Sequence, residues 1–120
     1  VIGAAMLRTF LKSKIHRAMC TDGVVDYEGS IEIPLDLMQA VDLIEGEKVL
    51  VTSASKGGRL ETYAQAGPSG SGRIILNGGA AHVIGKGERI TIMAFGLSEE
   101  TVTPKKVVCN EQNEIIRLGK

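Results

Sequence analysis

Short apolar runs, many of them alternating with polar positions, are separated along this chain by glycine-rich turns. From residue 6 to 21 the period alone admits either helix or strand. Basic residues from Lys12 onward fall on alternate positions, at Lys12, Lys14 and His16, and a strand would put all three on one face. Asp22-Gly23 is a turn signal, residues 24–27 a short strand, and residues 30–33 another strand stopped by Pro34. Pro34 suits a first helical turn, and residues 35–43 have helical spacing with Asp36 near the start. Residues 44–51 read as a turn feeding a buried strand. After the tight turn Lys56-Gly57-Gly58, residues 59–66 form the next strand. A Gly/Ser loop leads to a strand at 73–76, and Asn77 is a suitable cap for a short helix at 77–82. Residues 85–92 are again a turn into a strand, and Ser98-Glu99-Glu100 resembles a helix start. Residues 107–109 and 114–118 are expected as final strands around a polar turn at 110–113.

One pattern occurs twice. Gly46-Glu47-Lys48-Val49-Leu50-Val51 and Gly87-Glu88-Arg89-Ile90-Thr91-Ile92 share the form Gly-Glu-basic-apolar-x-apolar, each after a short Ala-containing helical stretch. If the echo reflects internal two-fold symmetry, it implies a barrel of two interlocked halves with one short helix each. Closure would also remove exposed strand edges.

Composition narrows the function classes. A chain of 120 residues is expected to form a single domain over 1–120 with one modest core. Aromatic residues are only 3% and Trp is absent, so Val, Ile, Leu, Ala and Met must fill that core. Lys+Arg and Asp+Glu are 14 each, which removes the electrostatic case for a nucleic-acid or membrane partner. No apolar run approaches the roughly 20 residues of a membrane span. Met6 reads as a natural start, with residues 1–5 an extension ahead of it. Cys20 and Cys109 are expected as reduced thiols in a cytoplasmic protein.

The stretch with the most chemical content is Tyr27-Glu28-Gly29-Ser30. A Ser30 oxygen that folds back onto the Gly29 carbonyl turns the amide into an ester. Elimination across the Ser30 Cα–Cβ bond then frees Gly29 as a new C-terminus. Hydrolysis of the dehydroalanine, with loss of ammonia, leaves a pyruvoyl ketone, an electron sink that no ordinary side chain supplies. A Gly-Ser pair alone is only a turn signal, and it recurs at Gly70-Ser71 in a plain Gly/Ser loop.

The surroundings separate the two. Met6 to Arg17, Tyr27-Glu28-Gly29-Ser30, Arg59-Leu60-Glu61-Thr62-Tyr63 and Asn77-Gly78-Gly79-Ala80-Ala81-His82 occur in this order. Together they resemble the pyruvoyl-dependent aspartate 1-decarboxylases, bacterial lyases that make β-alanine for pantothenate, from Met6 to about Leu118. The resemblance implies a mainly β fold, a double-psi β-barrel with short helices, assembled as a homotetramer with active sites between subunits. It also implies a proenzyme that cuts itself between Gly29 and Ser30, with a maturation helper protein as a further partner to consider. The only cofactor would be the pyruvoyl group derived from Ser30, forming a Schiff base with L-aspartate.

Carried over by position, Tyr63 is the proton donor, a role suited to a phenol, which keeps its proton at neutral pH. Thr62 contacts substrate and assists the cleavage. Arg59 and Lys14 bind substrate, a guanidinium fork being well matched to a carboxylate. Gly78, Gly79 and Ala80 form a substrate-contacting backbone segment, and His16, Tyr27 and Asn77 are supporting residues. The family commonly has Ala where Gly79 stands and often Asn where Lys56 stands; neither departure removes a reacting group. His16, His82, Cys20 and Cys109 lack the spacing of a metal site, so no metal is expected. The loop at 67–72 lacks the Lys-Ser/Thr ending of a phosphate loop. Two alternatives remain at this point: a non-catalytic barrel acting as a binding module, and a pyruvoyl decarboxylase for another amino acid such as glutamate.

Overall fold

The computed structural model describes residues 5–119; of the extension at 1–5, only Ala5 lies within them. In chain order the elements are β1 (Arg8–Met19), β2 (Asp22–Val24), β3 (Ser30–Pro34), α1 (Leu35–Ala40), β4 (Lys48–Ser53) and β5 (Arg59–Gly67). They continue with β6 (Ile75–Asn77), α2 (Ala80–Val83), β7 (Arg89–Ser98), β8 (Lys105–Cys109) and β9 (Ile115–Leu118). The strands form one nine-stranded sheet in the order β2-β6-β3-β5-β4-β7-β1-β8-β9. Laid flat, this sheet would be about 38 Å wide at ~4.8 Å per step. Yet Ile15, Ile31, Val51, Ala64, Leu76, Ile92 and Val107, from seven of the strands, meet in a single buried cluster. The sheet therefore curls around one core, giving the mainly β, barrel-like fold that the sequence implies.

The repeated motif is structural. Residues 44–47 and 85–88 both close a turn, Glu47 N–H donating to the Ile44 carbonyl at 3.2 Å and Glu88 N–H to the Gly85 carbonyl at 3.3 Å. The third position is a left-handed glycine in each, Gly46 at φ 86° and Gly87 at φ 89°, as a type II turn requires. Each glutamate carboxylate accepts the N–H three residues back, Ile44 at 3.2 Å and Gly85 at 2.6 Å. Gly46 N–H donates to Ala64 and Ala64 N–H to Glu47; Gly87 and Cys20 with Glu88 repeat this pair of bonds. Strands β4 and β7 then run antiparallel with Val51 opposite Ile92, the sixth residue of one copy facing the sixth of the other. Two halves related by a local two-fold axis have this arrangement.

Several local expectations change. Helix α1 stops at Ala40 rather than residue 43 because Asp42 turns left-handed at φ 58°. Leu43 N–H then bonds to the Met38 carbonyl and Asp42 N–H to Gln39, the Schellman pattern that ends a helix. Asp22-Gly23 lies inside β2, and residues 25–27 form the turn instead. Asn77 is the last residue of β6, and Gly79 takes the cap position of α2. Ser98 ends β7, with its hydroxyl accepting from Glu100 N–H at 3.1 Å, so no helix starts there. Lys12 is the extra residue of a bulge between Leu11 and Ser13. Its ammonium pairs with Glu47 at 3.1 Å and donates to the Asp42 carbonyl, leaving Lys14 and His16 as the alternating pair.

Cys20 and Cys109 are free and buried. Burial pushes the Cys109 thiol up to about 11 and raises that of Cys20, so both keep their protons at neutral pH. No described helix is long and apolar enough to cross a membrane.

Glu88, only 6% exposed, ties β4 to the second turn, its carboxylate taking the Ser53 hydroxyl at 2.7 Å besides Gly85 N–H. The Ser53 hydroxyl, helped by the Gly85 N–H and the Lys56 charge, holds this carboxyl below the usual 4.5 although burial pushes it up. The stabilisation it gives is fully present above 4.5 and is lost as the pH falls through the depressed value. Glu88→Gln should cost about 1–3 kcal/mol at pH 7. In urea titrations the gap from the parent protein should close as the pH falls below 4.5; a gap unchanged between pH 7 and pH 3 would contradict this role.

Candidate active site

Strand alternation sorts the candidate residues by face. Tyr63 pairs with Lys48, and Glu61 pairs with Leu50. Leu50 pairs with Met93, and Met93 with Lys14. Paired residues share a face, and Arg59, Glu61, Tyr63 and Gln65 alternate along β5, so Lys14 joins them on that side. Ile31 of β3 pairs with Ala64, which sets Ser30, the preceding residue, beside Tyr63. Ser30 also pairs with Asn77 of β6. One face of the curled sheet thus carries Lys14, Arg59, Tyr63, Gln65, Ser30 and Asn77. The other face carries the core residues Ile15, Ile92, Val51, Ala64, Ile31 and Leu76.

Ser30 is the buried centre of the arrangement at 1% exposure. Its hydroxyl donates to Gln65 Oε1 at 2.9 Å and accepts from Asn77 Nδ2 at 3.1 Å. The Glu28 carbonyl lies farther away, at 3.5 Å. Asn77 Oδ1 is buried without a hydrogen-bond partner among the described residues. An orphan acceptor of this kind costs about 1–3 kcal/mol and marks the Asn77 side of the site as polar and under-satisfied.

Gly78 lies against the backbone of Gly29, on the N-terminal side of the Gly29–Ser30 bond. It is left-handed at φ 68°, and its N–H donates to the Val24 carbonyl at 2.8 Å. A Cβ placed on it would lie 2.8 Å from Gly29 Cα, Gly29 N and the Tyr27 carbonyl. Only glycine allows this backbone-on-backbone contact. Because the Gly78 N–H is already engaged, the expected anion-facing amides reduce to those of Gly79 and Ala80. Gly79 is exposed and Ala80 half-buried at the start of α2.

The chain does not gather every candidate at one point. Tyr63 is 36% exposed beside Ser30. Arg59 stands four residues earlier on β5, about 13 Å away at ~3.3 Å per residue. Lys14 is on β1, four places from β3 in the strand order. Neither cation has an ion pair among the described residues. Thr62 falls on the opposite face from Tyr63, half-buried opposite Val49. Tyr27 is 67% exposed in the loop before the Gly29–Ser30 bond. His16 Nδ1 is 3.3 Å from Thr91 Oγ1. Partial burial, with the charges of Lys14, Arg17, Arg117 and Arg89, pushes His16 below 6.5, and its ring is neutral at pH 7. His82 is exposed in the last turn of α2. Among the described residues no group of three or more His, Cys, Asp and Glu converges as a metal site. Gln65 was absent from the sequence reading; the signal for it was its place two residues after Tyr63 on the same strand face.

On the Tyr63 side, beside Lys48, lies a cleft of about 430 Å3 lined by Thr9, Lys48, Val49, Leu50, Glu61 and Phe95. Its rim includes the Lys48–Glu61 ion pair at 2.9 Å.

The family model described as aspartate decarboxylase matches residues 6–116. An aspartate 1-decarboxylase of Pseudothermotoga lettingae is 48% identical over 114 residues, covering 93% of this chain and 99% of the relative. Relatives of the same name from Halalkalibacterium halodurans and Acetivibrio thermocellus are 44% and 45% identical over 117 residues. Each of these two alignments covers 94% of this chain, with 92% and 93% of the respective relative. With a match over nearly its whole length, this chain belongs to the aspartate decarboxylase family.

Proposed function

We propose that this chain cuts itself between Gly29 and Ser30 and uses the resulting pyruvoyl group to decarboxylate L-aspartate to β-alanine, a pantothenate precursor. The observation that carries this reading is the Ser30 setting: a buried, hydrogen-bonded hydroxyl directly after a glycine whose backbone is closely approached by Gly78. The residues present suit the group. Asn77 Nδ2, 3.1 Å from Ser30 Oγ, is a donor to the oxygen that leaves with the Gly29 carboxyl group in the elimination. Once formed, the ketone supplies the electron sink that α-decarboxylation of an amino acid requires.

The remaining work falls to side chains on the same face. The Tyr63 phenol, next to position 30, delivers a proton to the carbon left after CO2 departs. Arg59 and Lys14 hold carboxylate. Pairing the departing α-carboxylate with a cation would stabilise it before it leaves as neutral CO2, which opposes catalysis. The cations therefore chiefly grip the side-chain carboxylate. Thr62 is assigned to the cleavage by resemblance, and Thr62→Val, of nearly equal volume, tests its hydroxyl.

Arg59 stands about 13 Å from Tyr63 along β5 and Lys14 four strands from β3, and a neighbouring copy supplies them. Exposed apolar residues support an oligomer, Phe95 at 44% and Leu97 at 68% on β7 among them. The assembly is a homotetramer with sites between subunits. The buried thiols suit the reducing cytoplasm.

Arg59→Lys should weaken aspartate and blur its discrimination from asparagine. Losing a charge-assisted hydrogen bond of about 1.5–3 kcal/mol lowers kcat/KM by about 10- to 150-fold. Unchanged discrimination would remove Arg59 from the site. Ser30→Ala and Arg59→Ala should each be inactive alone. Hybrid oligomers of the two should recover β-alanine production, because one subunit supplies position 30 and its neighbour the arginine. Hybrids as inactive as their parents would contradict a shared site. Gly78→Ala should displace residues 27–29 and, at about 1–3 kcal/mol of backbone strain, slow self-cleavage ~5- to 150-fold. Cleavage at the parent rate would count against the Gly78 contact.

A further inference from the structure

The proton of the Ser30 hydroxyl has one well-placed acceptor. Asn77 Nδ2 already donates to Oγ at 3.1 Å, so the single hydroxyl proton must point elsewhere. Gln65 Oε1 takes it at 2.9 Å, while the competing Glu28 carbonyl lies at 3.5 Å. Gln65 is held on β5, two residues beyond Tyr63, and reaches Ser30 from the strand parallel to β3. We propose that Gln65 is a positioning residue for self-cleavage, keeping the Ser30 proton on the β5 side and the free lone pair of Oγ available for the Gly29 carbonyl.

The inference rests on the self-cleavage reading above and assigns one residue a part in it. In the first step, the bond from Oγ to the Gly29 carbonyl carbon forms and the bond from that carbon to the Ser30 nitrogen breaks. The hydroxyl proton ends on that nitrogen, so amide becomes ester with no other reactant. An amide oxygen is too weak a base to remove the proton; Gln65 sets its direction. Without that acceptor the proton turns toward the Glu28 carbonyl, on the side of the loop that carries the scissile bond. The hydroxyl then points its proton, instead of its lone pair, at the region it must attack.

The test follows cleavage of freshly translated full-length chain by denaturing electrophoresis, at pH values from 5 to 9. Gln65→Met keeps the side-chain length and removes the acceptor, and it should cleave about tenfold more slowly, the worth of one hydrogen bond. Gln65→Glu restores an acceptor. Its rate should recover to at least that of the parent chain as its carboxyl ionises, giving an inflection in the pH profile that the parent lacks. A purely structural role predicts that Gln65→Glu, which buries a charge, is slow at every pH. Thermal midpoints of both variants separate slow cleavage from poor folding. Parent-like cleavage by a folded Gln65→Met, or no recovery in Gln65→Glu at any pH, overturns the role of Gln65 alone. A parent chain that is never cut at Gly29–Ser30 overturns the reading beneath it.

Discussion

The contact between the backbone of Gly78 and that of Gly29 is the constraint on which the site depends. Ser30 opens β3 opposite Asn77, and the chain turns left-handed one residue after Asn77, at Gly78. That turn brings one main chain so close to another that a single methyl group would collide with Gly29 and Tyr27. With β3 also paired to β5 on its other side, position 30 is fixed from both neighbours while residues 25–29 remain a surface turn and loop. The Gly29–Ser30 bond thus joins a surface loop, held at Gly29 by Gly78, to a strand paired on both sides.

The division of the sheet into two faces links this constraint to the rest of the chain. Period-two alternation sends Ile15, Val51, Ala64, Ile31 and Ile92 to the core, where they are at most 1% exposed. The same alternation sends Lys14, Arg59, Tyr63, Gln65 and Ser30 to the opposite face. A register slip of one residue in β5 would exchange the two sets. The paired turns at Gly46 and Gly87 oppose such a slip, since each ends in a glutamate that fastens the turn to its own start and to a neighbouring strand. Symmetry in the fold does not extend to the chemistry. Glu47 meets Lys12 near the surface and Glu88 is buried against Ser53, and the two shorter hydrogen bonds of the Ser30 hydroxyl come from β5 and β6.

Much of this was legible in the sequence where local signals and tertiary structure agree. The strands at β3, β4, β5 and β8, the turn glycines and the repeated motif follow from alternation and turn chemistry. The failures have physical causes. Asn77 is a good cap in isolation, but its amide is bound to Ser30, a partner forty-seven positions away. Lys12 kept the alternation of a strand, and a bulge compatible with the same residues removed it from the ladder. Ser98 before two glutamates resembles a helix start, yet pairing of β7 with β1 extends the strand to that point. For the candidate site, Ser30, Tyr63 and Asn77 were singled out by resemblance, and their shared face emerged only from register. Gln65 and Glu88 were missed because polar residues in strands and turns are ordinarily solvated, and nothing local distinguishes a buried partner from an exposed one.

The most direct measurement of the central claim is the intact mass of the purified protein under denaturing conditions, alongside Ser30→Ala. Self-cleavage predicts two chains, residues 1–29 ending in a free carboxylate and residues 30–120 blocked at their start and modified by phenylhydrazine, with Ser30→Ala a single chain. A single unmodified 12.7 kDa chain that still consumes aspartate and ignores phenylhydrazine would contradict the account.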